Sequence, residues 1–221
     1  MFPRFRSHPL VQNGVSYWYI GTCLAQIGWT FAFAYEIIWL SLVLMVAILA
    51  TLFAIAWRQY YQYNNPENPK RVWDFWLLIL PFALHFGWII CATAVNTNVL
   101  VVSMGQPAAI QLCVGIISLA VLHAVALWAL YFPYRAQYTI PCVISWANGA
   151  IASELTNPKS LITQTFSNTI IESIRLSSAA VSIIVLILIT SRLCVSICRR
   201  TLGRNEERFE RDYDAEQGVR L

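Results

Sequence analysis

Residues 37–57 run for 21 positions without an Asp, Glu, Lys or Arg. As an α-helix such a run rises about 31 Å, roughly the thickness of a bilayer's hydrocarbon core. No polar stripe recurs along it at helical period, so the helix is apolar all round and is not the half-buried helix of a soluble domain. A second run, residues 75–134, extends for 60 positions without those four residues, enough for two crossings with a turn near Gly105, Gln106 and Pro107. The composition, 58% hydrophobic and 12% charged, lies far from the soluble average. The expected fold class is therefore all-α, a polytopic transmembrane helix bundle.

About six spans are predicted, at residues 17–33, 37–57, 76–99, 110–131, 136–153 and 176–195. The first is not a cleaved signal peptide, because its apolar stretch is long and aromatic and no Ala-x-Ala site follows it. The second starts just after Glu36, so the connection between the first two helices should be short and strained. Residues 58–73, with Asn64, Asn65, Pro66, Asn68 and Pro69, read as a surface loop. The fifth span, with 18 uncharged residues, can only just cross. Asn157 and Pro158 end it, and a Ser/Thr-rich stretch along the interface follows. Near the end of the last span, Arg192 should snorkel to the headgroups. The organisation is thus a cytoplasmic N-terminal segment (1–14), a bundle (15–198) and a charged, solvated and frayed cytoplasmic tail (199–221).

A formal charge of +4 does not point to nucleic acid, because the basic residues lie in connections and at the ends rather than along one face. With six spans, Arg4, Arg6, Arg58, Lys70, Arg71, Arg135, Arg199 and Arg200 fall on one side of the membrane. Lys159 and Arg175 fall on the other, so both termini are expected to be cytoplasmic. Basic loops fix orientation, not organelle. Of the six cysteines, Cys23, Cys91, Cys113 and Cys142 sit in apolar segments and read as small packing residues. Cys194 and Cys198 adjoin Arg199 and Arg200, where reversible palmitoylation and free thiols in lipid are both open.

Inside the spans, Trp88, Ala92 and Asn96 are spaced i, i+4, i+8 and share one helix face with His85. The indole offers a stacking surface, the small residue close approach, and the amide a donor and an acceptor. Contact with a ligand and packing between helices by an amide bond are both readings of this face. His85 and His123 are the ionisable side chains well inside the spans, which makes each a functional candidate. Gln26 and Trp29 share a face of the first span, and Pro141, Trp146, Ala147, Asn148 and Gly149 repeat the theme in the fifth. No phosphate-binding glycine loop, His-Glu-x-x-His, Gly-x-Ser-x-Gly or carboxylate pair lies in the spans, so the chain is not expected to be an enzyme or to hold a metal.

The pattern Pro81-Phe82-x-x-His85-x-Gly87-Trp88-x-x-x-Ala92-x-x-x-Asn96 resembles the Pro-Phe-Ser-x-Tyr-x-Gly-Trp-x-x-x-Ala-x-x-x-Asn signature of the tryptophan-rich sensory proteins, relatives of the translocator protein. Cys23-Leu24-Ala25-Gln26-Ile27-Gly28-Trp29 with Tyr35-Glu36, and Tyr138-x-x-Pro141-x-Val143-x-x-Trp146-Ala147-x-x-Gly149, are similar to further helices of that family. Together they cover most of residues 15–153. By this resemblance the first three spans correspond to the last three helices of a five-helix translocator bundle, which leaves the family's first two helices without a counterpart. Gln26 stands for an asparagine and His85 for a tyrosine.

The resemblance implies a pocket for a flat hydrophobic ligand, a tetrapyrrole or a sterol, lined by Trp88, Asn96, His85, Ala92, Trp29, Gln26 and Trp146 among the first, third and fifth spans. A porphyrin or haem would be a ligand rather than a resident cofactor. The partners implied are the lipid bilayer and that small molecule, with a homodimer left open. Two other readings stand beside it, a secondary transporter with His85 and His123 on its path, and a packing subunit of a membrane complex. The latter is favoured where Trp88 and Asn96 face lipid or another protein.

Overall fold

The computed structural model describes residues 8–66, 68, 72–133 and 136–218. Arg4, Arg6, Lys70, Arg71 and Arg135, which carry much of the expected charge asymmetry, lie outside them. Among the described residues a π-helical segment, Leu10–Val15, precedes seven helices: α1 Trp18–Ala34, α2 Ile38–Asn64, α3 Val72–Ser103, α4 Ala108–Tyr131, α5 Thr139–Glu154, the short α6 Ser160–Thr165, and α7 Asn168–Gly218.

Among the described residues four stretches, Ile38–Asn64, Val72–Ser103, Ala108–Tyr131 and Asn168–Arg199, are long and apolar enough to cross a membrane. The helices at the expected first and fifth spans have 17 and 16 residues. They rise about 25 and 24 Å, short of a ~30 Å hydrocarbon core. Helix α2 continues through Arg58 to Asn64, so half of the expected 58–73 loop is helical; Pro66 restricts Asn65 to extended backbone and stops it. The tail is a second difference, because α7 runs unbroken to Gly218. Arg and Glu are good helix formers, and both recur through that stretch.

The turns follow from backbone chemistry. Between α1 and α2, Glu36 takes a φ of 58°; its N–H donates to the Phe33 carbonyl and that of Ile37 to the Ala32 carbonyl. This is a Schellman closure with a non-glycine residue in the left-handed position, the strained hairpin foreseen. The α3–α4 turn uses the same pair of bonds around Gly105 at φ 63°, without the Cβ penalty. Pro81 would clash with the carbonyl four residues back in a regular helix, and α3 widens into a π-helical turn over Phe75–Ile79 just before it.

Met45, Ile48, Leu52 and Ile55 form a fully buried stripe on α2. It belongs to one apolar core with Phe86 and Ile89 of α3, Ala126 and Leu130 of α4, Ile144 of α5 and Val185 of α7. Helices pack in the order α1–α2–α3–α5–α7, and α4 lies against α3 and α5. Outward faces carry large apolar side chains such as Val43, Ile116, Ile117, Ile183 and Ile187, as a surface bathed in lipid requires.

Lipid gives apolar helices little reason to prefer one another, so polar contacts between them matter. Thr22 donates to Thr51 at 2.9 Å across α1–α2, Ser41 to Asn96 Oδ1 at 2.9 Å across α2–α3, and Asn98 to Ser118 at 3.0 Å across α3–α4. His123 Nε2 pairs with Asn148 Oδ1 at 3.3 Å across α4–α5. Across α5–α7, Ser145 and Ser182 each donate a hydroxyl to the other's carbonyl at 2.8 Å. Arg192, expected to snorkel to the headgroups, donates from its guanidinium to the Leu130 carbonyl at 3.2 Å and lies 4.9 Å from the Tyr131 ring centroid. It thereby caps the last turn of α4, whose carbonyls lack helical partners.

Ser41 is fully buried, so Asn96→Leu leaves its hydroxyl without that acceptor. The expected loss is about 1 kcal/mol, given that interhelical bonds in membranes average about 0.6 kcal/mol and reach about 1.7 kcal/mol. Unfolding in mixed micelles measures it, and Ser41→Ala combined with Asn96→Leu should cost less than the sum of the two.

Candidate functional site

The expected residues divide into an exposed aromatic pair and a set of polar groups turned inward. Trp88 of α3 and Trp146 of α5 remain 48% and 62% exposed, and their rings meet at a centroid distance of 5.5 Å and 46°. What brings them together is Gly87. A Cβ there would stand 3.2 Å from Val143 Cβ and 3.5 Å from Ile140 Cα, so α3 and α5 touch almost backbone to backbone, and Trp88, next to Gly87, and Trp146, three residues after Val143, both turn outward. The result is an indole surface between two helices, facing away from the core.

Asn96 sits on the same arc but is buried, accepts from Ser41 and donates to the Ala92 carbonyl at 3.2 Å. The two readings of the stripe thus split along the helix, with stacking surface at Trp88 and a helix clamp at Asn96. Ala92 is half-buried between them. Asn148 is likewise a clamp, donating to the Ile144 carbonyl at 2.9 Å and pairing with His123.

The two histidines separate on the same criterion. His123 is engaged by Asn148, whereas half-buried His85, one helical turn from Trp88, has no hydrogen-bond partner among the described residues. It is the imidazole still able to coordinate or donate. Among the described residues no three His, Cys, Asp or Glu side chains gather into a metal-ligand group.

Gln26 and Trp29 lie on α1, which packs along α2 and not broadly on α3 or α5. Trp29 stacks on Phe33 at 5.3 Å, and its Nε1 is buried without a partner. The link from α1 to α3 is instead Tyr19 edge-on to Phe82 at 5.2 Å. Trp88 and Trp146 are therefore brought together, and Gln26 and Trp29 are not brought to them.

The sequence reading missed the opposite end of α2. There, Leu10–Val15 packs on α2 and a cavity of about 550 Å³ opens between Gln12, Asn13, Ser16, Trp57, Arg58, Tyr61 and Gln62. Periodicity could not find it, because its walls come from a non-repeating segment and a helix end beyond the uncharged run.

A search of curated proteins and a search of solved structures each gave no match. The model of a family described as TSPO-like protein matches residues 2–191. That span holds the Trp88–Asn96 stripe and the Trp146 helix, and it continues beyond the 15–153 stretch that carried the motif resemblance to the apolar part of α7. This chain is an integral membrane protein that belongs to the TSPO-like protein family.

Proposed function

We propose that the chain binds a flat hydrophobic ligand, a tetrapyrrole or a sterol, for sensing or trafficking, and that the Trp88–Trp146 surface is where the ligand stacks. The observation that carries this is the exposed indole pair on a seam closed by Gly87. Two tilted rings facing the hydrocarbon offer a planar molecule a large contact at little cost in side-chain order. Asn96 is left a positioning role, holding α3 on α2, while unengaged His85 fits a place against the ligand's edge. The chain acts as a binding protein rather than a catalyst, with both termini on the cytoplasmic side.

Titration of the detergent-purified full chain with protoporphyrin IX and with haem, followed by tryptophan quenching and the Soret band, tests this. Saturable micromolar binding of either is expected. Loss of the haem Soret shift in His85→Ala, with protoporphyrin binding retained, identifies that imidazole as the iron ligand. Absence of saturable binding of both, and of a sterol, overturns the reading.

A second reading is favoured by Trp88 pointing outward, since another protein could cover the same surface. In that case the chain is a packing subunit, a homodimer included, and mass measurement of the detergent-solubilised complex distinguishes it.

A further inference from the structure

The cavity at the C-terminal end of α2 lies apart from the tryptophan pair, and its lining has a definite chemistry. Arg58 is the first charge after the uncharged run 37–57, so it stands where hydrocarbon gives way to headgroups. It is exposed and has no ion pair among the described residues. Around it are the amides of Gln12 and Asn13, the Ser16 hydroxyl and the Tyr61 phenol, all lining the same space of about 550 Å³. None of these four side chains has a hydrogen-bond partner among the described residues, whereas Gln62 accepts from Asn68 at 3.3 Å.

Neutral donors around one unpaired guanidinium suit an anion with several oxygens. The size falls within the range of small-molecule sites. Ser16 contributes from a rare backbone conformation, φ 47° and ψ −146°, at the end of the π-helical segment.

On its membrane side the cavity continues into an aromatic ladder. Tyr61 meets Trp57 at 5.1 Å and Trp57 meets Phe53 at 5.9 Å, one helical turn apart each time. Phe53, Trp57 and Tyr61 are all exposed. A cation with polar donors at headgroup level above an apolar aromatic stripe matches a molecule with an anionic head and a hydrocarbon tail.

We propose that this cavity seats the phosphate of an anionic membrane lipid, with Arg58 as its counter-charge and Phe53, Trp57 and Tyr61 as the track for its glycerol and acyl chain. The recognised chemistry is a phosphate ester, and the source is the bilayer rather than a soluble phosphate.

Native mass spectrometry of the detergent-purified full chain with phosphatidylglycerol, phosphatidylcholine and glycerol 3-phosphate tests it. Wild type should hold phosphatidylglycerol more tightly than phosphatidylcholine. Arg58→Gln should weaken phosphatidylglycerol by about tenfold, as removal of a charge-assisted phosphate contact does, and Arg58→Lys should recover part of that loss. Phe53→Ala, on the ladder but outside the cavity lining, should weaken the lipid while leaving any glycerol 3-phosphate binding unchanged. Equal binding of phosphatidylglycerol by wild type and Arg58→Gln overturns the proposal. So does equal binding of the two lipids, or displacement of the lipid by an equal concentration of glycerol 3-phosphate, which would mark a soluble-phosphate site.

Discussion

Replacing Gly87 by leucine is expected to destabilise the bundle by about 3 kcal/mol, the upper end of the cost of overpacking a tight interior. The first added carbon already falls 3.2 Å from Val143 Cβ and 3.5 Å from Ile140 Cα. The Val143 methyl groups can rotate away, but Val143 Cβ and Ile140 Cα are fixed to their backbone, so the remaining three carbons of the side chain must part α3 from α5. Alanine grades the effect, because it needs α3 and α5 to give only slightly at Val143 and gains about 1 kcal/mol of helix propensity over glycine. Gly87→Ala should be nearly neutral. Unfolding in mixed micelles followed by circular dichroism reads both, and a Gly87→Leu variant as stable as wild type would mean that the seam is not packed as described.

The second large effect concerns ligand affinity. Trp88→Ala and Trp146→Ala should each weaken protoporphyrin binding by about 2 kcal/mol, roughly thirtyfold, as truncation of an aromatic anchor does. Both rings are substantially exposed, so stability should change little. Because the two indoles meet at 5.5 Å and form one platform, the double variant should lose less than the sum of the single losses. Strictly additive losses would assign the rings to separate contacts, and unchanged affinity in both single variants would remove the ligand from this surface. Gly87→Leu links the two experiments, since it leaves both tryptophans in the chain but pulls their helices apart.

The apolar helices were legible because lipid imposes a simple demand, length without charge, which residues 37–57 meet in full. The Glu36 hairpin was legible for a similar reason, since two spans with almost nothing between them force a tight turn. The continuation of α2 to Asn64 was not, because helix formation outlasts the apolar run that announced it.

Within the candidate site, the spacing of Trp88, Ala92 and Asn96 placed them on one face, but a spacing cannot say what stands opposite. Trp88 meets another indole and outward space, whereas Asn96, eight residues on, meets the Ser41 hydroxyl. The same limit applied to the histidines. His85 and His123 look alike in the sequence, and they differ because Asn148 lies across from one and no described partner bonds the other.

The distribution of polar contacts bears on how such a bundle would move. Helices α2 and α3 are fastened at two depths, by Ser41–Asn96 and by Gln59 donating to the Leu78 carbonyl at 2.7 Å, which fixes their mutual tilt as well as their register. Among the described residues, the seam between α3 and α5 carries no hydrogen bond from one helix to the other. It is held by apolar packing, with the close approach at Gly87 and the Trp88–Trp146 ring contact on it. A seam held by dispersion parts with a smooth, shallow energy rise instead of the abrupt penalty of an orphaned polar group in lipid. The indole pair thus sits on a seam without a polar fastening, beside the doubly fastened α2–α3 pair.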